Sequence, residues 1–191
     1  GNRQGLPGEY VRSVLAGRDR KIWVGTSGGG LACLQNGRFE VFDKARGLMS
    51  DRVWSIAEGN RGDVWFGTYG GGLHRLRAGR ITVWNHDRGL SNDIVRAVLV
   101  DRRGWVWAGT NGGGIDILVG DEVRFHLNRK SGLANDFVYA IVEDAAGIVW
   151  IGTYGGGLNR WENGRITTFT TRDGLANDVV FSLTPDAEGN L

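Results

Sequence analysis

Hydrophobic and polar positions follow one another along this chain in short runs, each ended by a polar or glycine-bearing turn. Runs such as Ile94-Val95-Arg96-Ala97-Val98 and Phe137-Val138-Tyr139-Ala140-Ile141 are rich in β-formers, which predicts short strands. No window shows the apolar spacing of an amphipathic helix. The runs come in a fixed order. A strand A of the kind just quoted leads into a polar turn, as in Asp101-Arg102-Arg103-Gly104 or Asp144-Ala145-Ala146-Gly147. Strand B carries a tryptophan, and a glycine triplet then turns the chain into strand C, for example Leu158-Asn159-Arg160-Trp161. The turn Glu162-Asn163-Gly164-Arg165 leads to strand D at Ile166 to Phe169, and a loop ending in Gly-Leu closes the unit.

The order repeats. Strand B reads Trp23-Val24-Gly25-Thr26, Trp65-Phe66-Gly67-Thr68, Trp107-Ala108-Gly109-Thr110 and Trp150-Ile151-Gly152-Thr153, with Trp-to-Trp spacings of 42, 42 and 43. A four-stranded unit of this period predicts an all-β β-propeller built of antiparallel meanders. The whole chain reads as one such segment, with blades at about 5–46, 47–88, 89–131 and 132–173, and 174–191 opening the next. Four complete blades and a fifth strand A beginning at Val179 predict an open arc of a larger ring. Each strand B tryptophan, Trp150 included, is expected to be buried against the next blade with its N–H partnered. The threonine after each strand B glycine, as at Thr68 and Thr153, is expected to bond to the neighbouring turn. Arg20 stands for the turn glycine in the first copy and Gly59 for the turn aspartate in the second, so those two turns should be less regular.

Composition changes this picture little. Thirty-three glycines and two prolines among 191 residues would suit a linker, but the glycines keep the repeat's register. The formal charge of +2 is spread along the chain and carries no nucleic-acid footprint. The single cysteine, Cys33, excludes an internal disulfide and has no base beside it in the sequence. No window is long and apolar enough to span a bilayer, so this segment is expected to make no membrane contact. Both ends look like cuts. An open arc exposes strand edges and blade faces, so the remaining blades of the same protein are expected partners, a homodimer is an alternative, and the isolated piece is expected to self-associate or be marginally stable.

The repeat resembles the two-component regulator propeller family. The copy from Gly132 to Leu158 carries the resemblance most fully: Gly132-Leu133, Asn135, Asp144, Gly147, Trp150-Ile151-Gly152-Thr153 and Gly156-Gly157-Leu158. The first copy departs most, at Pro7-Gly8 and Arg20. The resemblance implies a seven-bladed ring in the periplasmic sensor part of a membrane-bound hybrid histidine kinase or diguanylate cyclase. It also implies a small-molecule or glycan ligand. No kinase signature is present in this chain.

Propeller connectivity puts the D-to-A and B-to-C loops on one rim and the A-to-B and C-to-D turns on the other. Two columns vary on the first rim while the framework repeats, which is where recognition can reside. One is Ser27, Tyr69, Asn111 and Tyr154, after the strand B threonine; the other is Arg12, Trp54, Arg96, Tyr139 and Phe181, after the strand A valine. The second column also suits core packing near the ring axis, and both readings stand. The repeated acids Glu9, Asp51, Asp93, Asp136 and Asp178 suggest Asx-type turn closure rather than a metal ring. The glycine triplets lie between strands and suit tight turns, not a phosphate loop. His74, His86 and His126 fall in different registers, and only the adjacent His86-Asp87 offers an acid–base couple. The expected function is a non-enzymatic ligand sensor without metal or cofactor. A protein-interaction platform is the alternative and a propeller lyase the weaker one.

Overall fold

A computed structural model of the chain describes residues 5–8, 10–186 and 191. Glu9 and the Gly189-Asn190 end of the last repeat lie outside the described residues. Among the described residues sixteen strands form four antiparallel sheets of four, each a meander in chain order. Blade 1 holds β1 (Val11–Ala16), β2 (Ile22–Thr26), β3 (Leu31–Gln35) and β4 (Arg38–Phe42). Blade 2 holds β5 (Val53–Glu58), β6 (Val64–Thr68), β7 (Leu73–Arg77) and β8 (Arg80–Trp84). Blade 3 holds β9 (Val95–Val100), β10 (Val106–Thr110), β11 (Ile115–Val119) and β12 (Glu122–Leu127). Blade 4 holds β13 (Val138–Glu143), β14 (Val149–Thr153), β15 (Leu158–Glu162) and β16 (Arg165–Phe169). The first strands lie side by side across blades, β1 by β5, β5 by β9 and β9 by β13, and so line the inner side of an unclosed arc.

The cores sit between blades. Trp23, Trp65 and Trp107 are buried, each against apolar residues of the following blade such as Val53, Val95 and Val138. Leu48, Leu90 and Leu133, from the Gly-Leu pairs, plug the same three gaps. Trp150 is only half-buried, against expectation, because no described blade packs on it. The indole N–H groups find carboxylates: Trp107 donates to Asp101 (3.1 Å), Trp150 to Asp144 (2.8 Å) and Trp65 to Asp63 (2.9 Å). Asp63 does this from the far end of a turn whose usual aspartate is Gly59. In the first copy Gly17 takes the aspartate's place, and the buried Trp23 Nε1 has no hydrogen-bond partner among the described residues. A Cβ on Gly17 would point at that indole, 3.0 Å from Nε1. That turn also forces Asp19 and Arg20 to positive φ, the irregularity expected of it.

Other expectations need correction. The fifth strand A does not form a ladder: Val179 makes an isolated bridge to Tyr154, and the chain then runs without regular pairing. No strand B follows it among the described residues to pair with it. Each threonine hydroxyl bonds within its own glycine turn, as Thr68 Oγ1 donates to the Gly72 carbonyl (2.9 Å) and Thr153 Oγ1 to Gly157 (3.0 Å). The D-to-A loops contain single 3-10 turns at Lys44–Arg46, His86–Arg88, Arg129–Ser131 and Thr171–Asp173. The repeated aspartates cap these turns: Asp51, Asp93, Asp136 and Asp178 accept from the N–H seven residues earlier at 2.7–2.8 Å. The Asx turns belong instead to the preceding residue, as Asn92 accepts from Ile94 N–H (2.8 Å) and Asn135 from Phe137 N–H (2.9 Å).

Trp107 is fully buried with both its ring and its N–H engaged, so Trp107→Ala is expected to cost about 3–5 kcal/mol. Trp150→Ala should cost clearly less in the same chain. Chemical denaturation of the two variants checks the order, and equal losses would contradict the packing of each tryptophan on the blade that follows it.

Candidate functional site

The two variable columns converge. In every blade the strand A–strand B ladder slips by one residue, and the extra residue is Arg12, Trp54, Arg96 or Tyr139. A β-bulge re-aims the side chain it carries. Here the bulges turn one residue per blade out of the interblade cores and into a shared concavity of about 380 Å³, lined by Arg12, Trp54, Arg96, Tyr139 and Phe181. Trp54, Arg96 and Tyr139 are half-buried, while Arg12 and Phe181, at the two ends of the row, are exposed.

Arg96 organises the wall. Its guanidinium lies over the Trp54 ring at 4.1 Å on one side and the Tyr139 ring at 4.5 Å on the other. Such contacts contribute about 0.5–2 kcal/mol each and hold the group flat. Arg96 Nε donates to Asn111 Oδ1 (2.6 Å), and among the described residues its Nη nitrogens make no hydrogen bond. The second column backs the first blade by blade. Tyr69 packs on Trp54 with ring centroids 5.1 Å apart, and Tyr154 on Tyr139 at 5.8 Å. Phe181 closes the row edge-on to Tyr139 at 5.0 Å. Tyr69 and Tyr154 stay 40% and 52% exposed. Ser27 bridges to Arg52 at the same rim.

A third column was not legible beforehand: Tyr10, Arg52, Ile94 and Phe137, just before the strand A valine. Their carbonyls accept from the N–H of Ser27, Tyr69, Asn111 and Tyr154 at 2.8–3.0 Å. Arg52 lies over the Tyr69 ring at 5.4 Å, and Phe137 is 42% exposed. Their variation from blade to blade was the available signal.

The histidines gather at no common point. His74 is fully buried and accepts from Met49 N–H through Nε2 (3.1 Å), which requires a neutral ring. Burial pushes its pKa down to about 4, with the Gly72 carbonyl, which favours the protonated ring, opposing. Asp116 and Asn159 hold the same register and also accept from the incoming loop, from Ser91 N–H (2.9 Å) and Ala134 N–H (3.0 Å). Among the described residues no hydrogen bond or ion pair joins His86 to Asp87. The couple that does form is His126 Nδ1 with Asp116 Oδ1 (2.6 Å), paired across β11 and β12. Burial raises the Asp116 pKa, opposed by Ser91 and His126. Ser91 Oγ donates to the other Asp116 oxygen (2.9 Å), so the carboxylate lies between serine and histidine. Among the described residues no group of three or more His, Cys, Asp or Glu could hold a metal ion. Cys33 is buried, which pushes its thiol pKa up.

A profile described as two component regulator propeller matches residues 5–28, 47–70, 89–112 and 132–155. The chain belongs to the two-component regulator propeller family. The propeller is similar to the extracellular domain of a putative hybrid two component system from B. thetaiotaomicron, at 26% identity and TM-score 0.83, over 99% of this chain and 26% of that one. The extracellular domain of a putative one component system from the same organism matches at 19% identity and TM-score 0.79, over 98% of this chain and 29% of that one. Virginiamycin B lyase from Staphylococcus aureus matches at 18% identity and TM-score 0.68, over 84% of this chain and 55% of that one, a likeness of fold alone. The propeller thus spans about a quarter of the extracellular domains it matches. No curated protein sequence matches significantly. No helix among the described residues is long and apolar enough to cross a membrane.

The His74 pKa has a stability consequence. The unfolded histidine titrates near 6.5 and the folded one near 4, so the unfolded state binds more protons between those values. Stability from this group is full above about pH 6.5 and is lost as pH falls towards 4, by about 3 kcal/mol. His74→Asn, which copies Asn159, should flatten that part of the profile. Urea midpoints at pH 7 and pH 4.5 for both proteins measure it, and parallel profiles would contradict the assignment.

Proposed function

We propose that the propeller is a non-enzymatic, extracytoplasmic ligand sensor within a bacterial signal-transduction protein, and that it binds a small molecule or glycan in the Trp54–Arg96–Tyr139 concavity. The observation that carries this reading is the set of bulges, which aim one variable residue per blade into one place. The chemistry suits a polar ligand with flat apolar faces. The part-exposed Tyr69 and Tyr154 offer aromatic surface to a sugar ring, and the Nη nitrogens of Arg96 offer donors to a hydroxyl or carboxylate. The extracellular domains of similar fold support the location and the role in signalling. Any signal would come from a difference in ligand affinity between two arrangements of the propeller and its neighbours.

The test uses glycan fragments and small polar metabolites as probes, with binding followed by calorimetry. Tyr69→Ala combined with Tyr154→Ala should leave the circular dichroism and melting curve unchanged and weaken binding about tenfold or more, as expected on losing two stacking faces. An unchanged affinity would remove this column from the site. Turnover of a bound probe would overturn the non-enzymatic reading.

A further inference from the structure

The opposite rim carries a second concavity, which owes nothing to the ligand columns. On this rim two of the three gaps between blades are latched. Arg18 of blade 1 reaches blade 2, donating from its N–H to Glu58 Oε2 (3.0 Å) and from Nη1 to the Asn60 carbonyl (3.2 Å). Arg102 of blade 3 does the same to blade 4, from its N–H to Glu143 Oε2 (2.8 Å) and from Nη2 to the Asp144 carbonyl (2.6 Å). Between blades 2 and 3 both halves of the latch are replaced. Asn60 stands in the arginine's register and Val100 in the glutamate's. There the rim opens into a cleft of about 590 Å³.

The walls of this cleft are basic. Blade 2 contributes Arg61, Arg75 and Arg77, and blade 3 contributes Arg103. The acids present are engaged: Asp63 accepts from Trp65 Nε1, Asp121 pairs with Arg75, and Asp101 below the cleft pairs with Arg103. The Arg75 hydrogen bond, helped by the charges of Arg75, Arg88 and Arg77, holds the Asp121 pKa below its usual value. Arg61 and Arg77 are exposed, and among the described residues their side chains make no ion pair or hydrogen bond. Among the three gaps described the two arginines meet only here: Arg75 corresponds to Cys33 and Ile117 in the neighbouring blades and recurs as Arg160 in blade 4, where it pairs with Glu162, and Arg77 corresponds to Gln35, Val119 and Glu162. Beside the cations lies Trp105, half-buried, stacked on Phe125 at 5.6 Å and covered by Arg103 at 4.2 Å.

We propose that this cleft is a second binding site, for a small ligand bearing a carboxylate, sulfate or phosphate group. Guanidinium forks match such groups, and a concave wall of one charge concentrates its field on them. The volume falls within the range of small-molecule pockets, about 300–1,000 Å³. A bound anion would bridge blades 2 and 3 where the other two gaps use the built-in Arg18–Glu58 and Arg102–Glu143 contacts.

Titration of the full chain at low ionic strength with inorganic sulfate, inorganic phosphate and glucuronate tests this, by calorimetry and amide chemical shifts. At least one should bind at millimolar concentration or below. The preference between glucuronate and the inorganic ions identifies the group recognised. Arg61→Ala with Arg77→Ala should weaken binding about tenfold or more, the effect of losing charge-assisted hydrogen bonds. Asn60→Arg with Val100→Glu, which installs the missing latch, should abolish binding with the circular dichroism unchanged. Tyr69→Ala with Tyr154→Ala should leave it intact, which separates this site from the one on the other rim. No binding of any of the three probes, or binding indifferent to both cleft variants, would overturn the proposal.

Discussion

Each blade is fastened to the next through one aspartate. The Asp51 carbonyl accepts from both Gly28 and Gly30 of the preceding blade, Asp93 from Gly70 and Gly72, and Asp136 from Gly112 and Gly114, at 2.8–3.1 Å. The same residue's carboxylate caps the 3-10 turn of its own loop, so one side chain shapes the loop that its main chain presents. A lone hydrogen bond contributes only about 0.5–1.5 kcal/mol, but leaving these turn amides unmet would cost more. The glycine triplet follows from this contact. The outer glycines take positive φ so that their N–H groups point at the neighbour, as at Gly70 (81°) and Gly72 (80°). The middle one lets its own blade's entering loop approach, since a Cβ on Gly71 would lie 2.9 Å from the Ser50 backbone.

The candidate ligand site rests on that fastening. Tyr69, Asn111 and Tyr154 each stand between a strand B threonine and a glycine turn docked on the next blade, or on the segment after blade 4. Their backbones are held from both sides while their side chains stand at the rim, Tyr69 and Tyr154 part-exposed and Asn111 bonded to Arg96. The bulge residues are held likewise, because the tight fit at Gly67 and its equivalents fixes the next valine: a Cβ on Gly67 would lie 2.7 Å from Val95 Cγ1. Adaptable side chains on a fixed frame are the arrangement that precise recognition needs.

Departures from the repeat mark where the propeller does something local. Some are structural and leave a polar group unmet, as with Gly17 and the unpartnered Trp23 N–H. Some substitute one acceptor for another at a fixed post, as His74, Asp116 and Asn159 do beneath the incoming loop. The paired replacement at Asn60 and Val100 belongs to neither kind, because it removes a contact and leaves a basic cleft in its place.

The sequence by itself determined the fold class, the order of the strands within a blade and the family, because a period carried four times makes each local signal confirm the others. It also picked out the two variable columns, since variation within a repeated frame shows which positions the frame does not need. It did not reveal that the strand A column sits on bulges. A bulge is a slip in pairing between two strands, and the Val53-Trp54-Ser55 run does not contain its partner. It misplaced the aspartate's role for the same reason, since one of its bonds goes seven residues back and the other to another blade. Trp150 looked like the other tryptophans because burial depends on what lies opposite, not on the residue. The His126–Asp116 pair and the basic cleft were invisible because they join strands or blades whose register only the folded chain fixes.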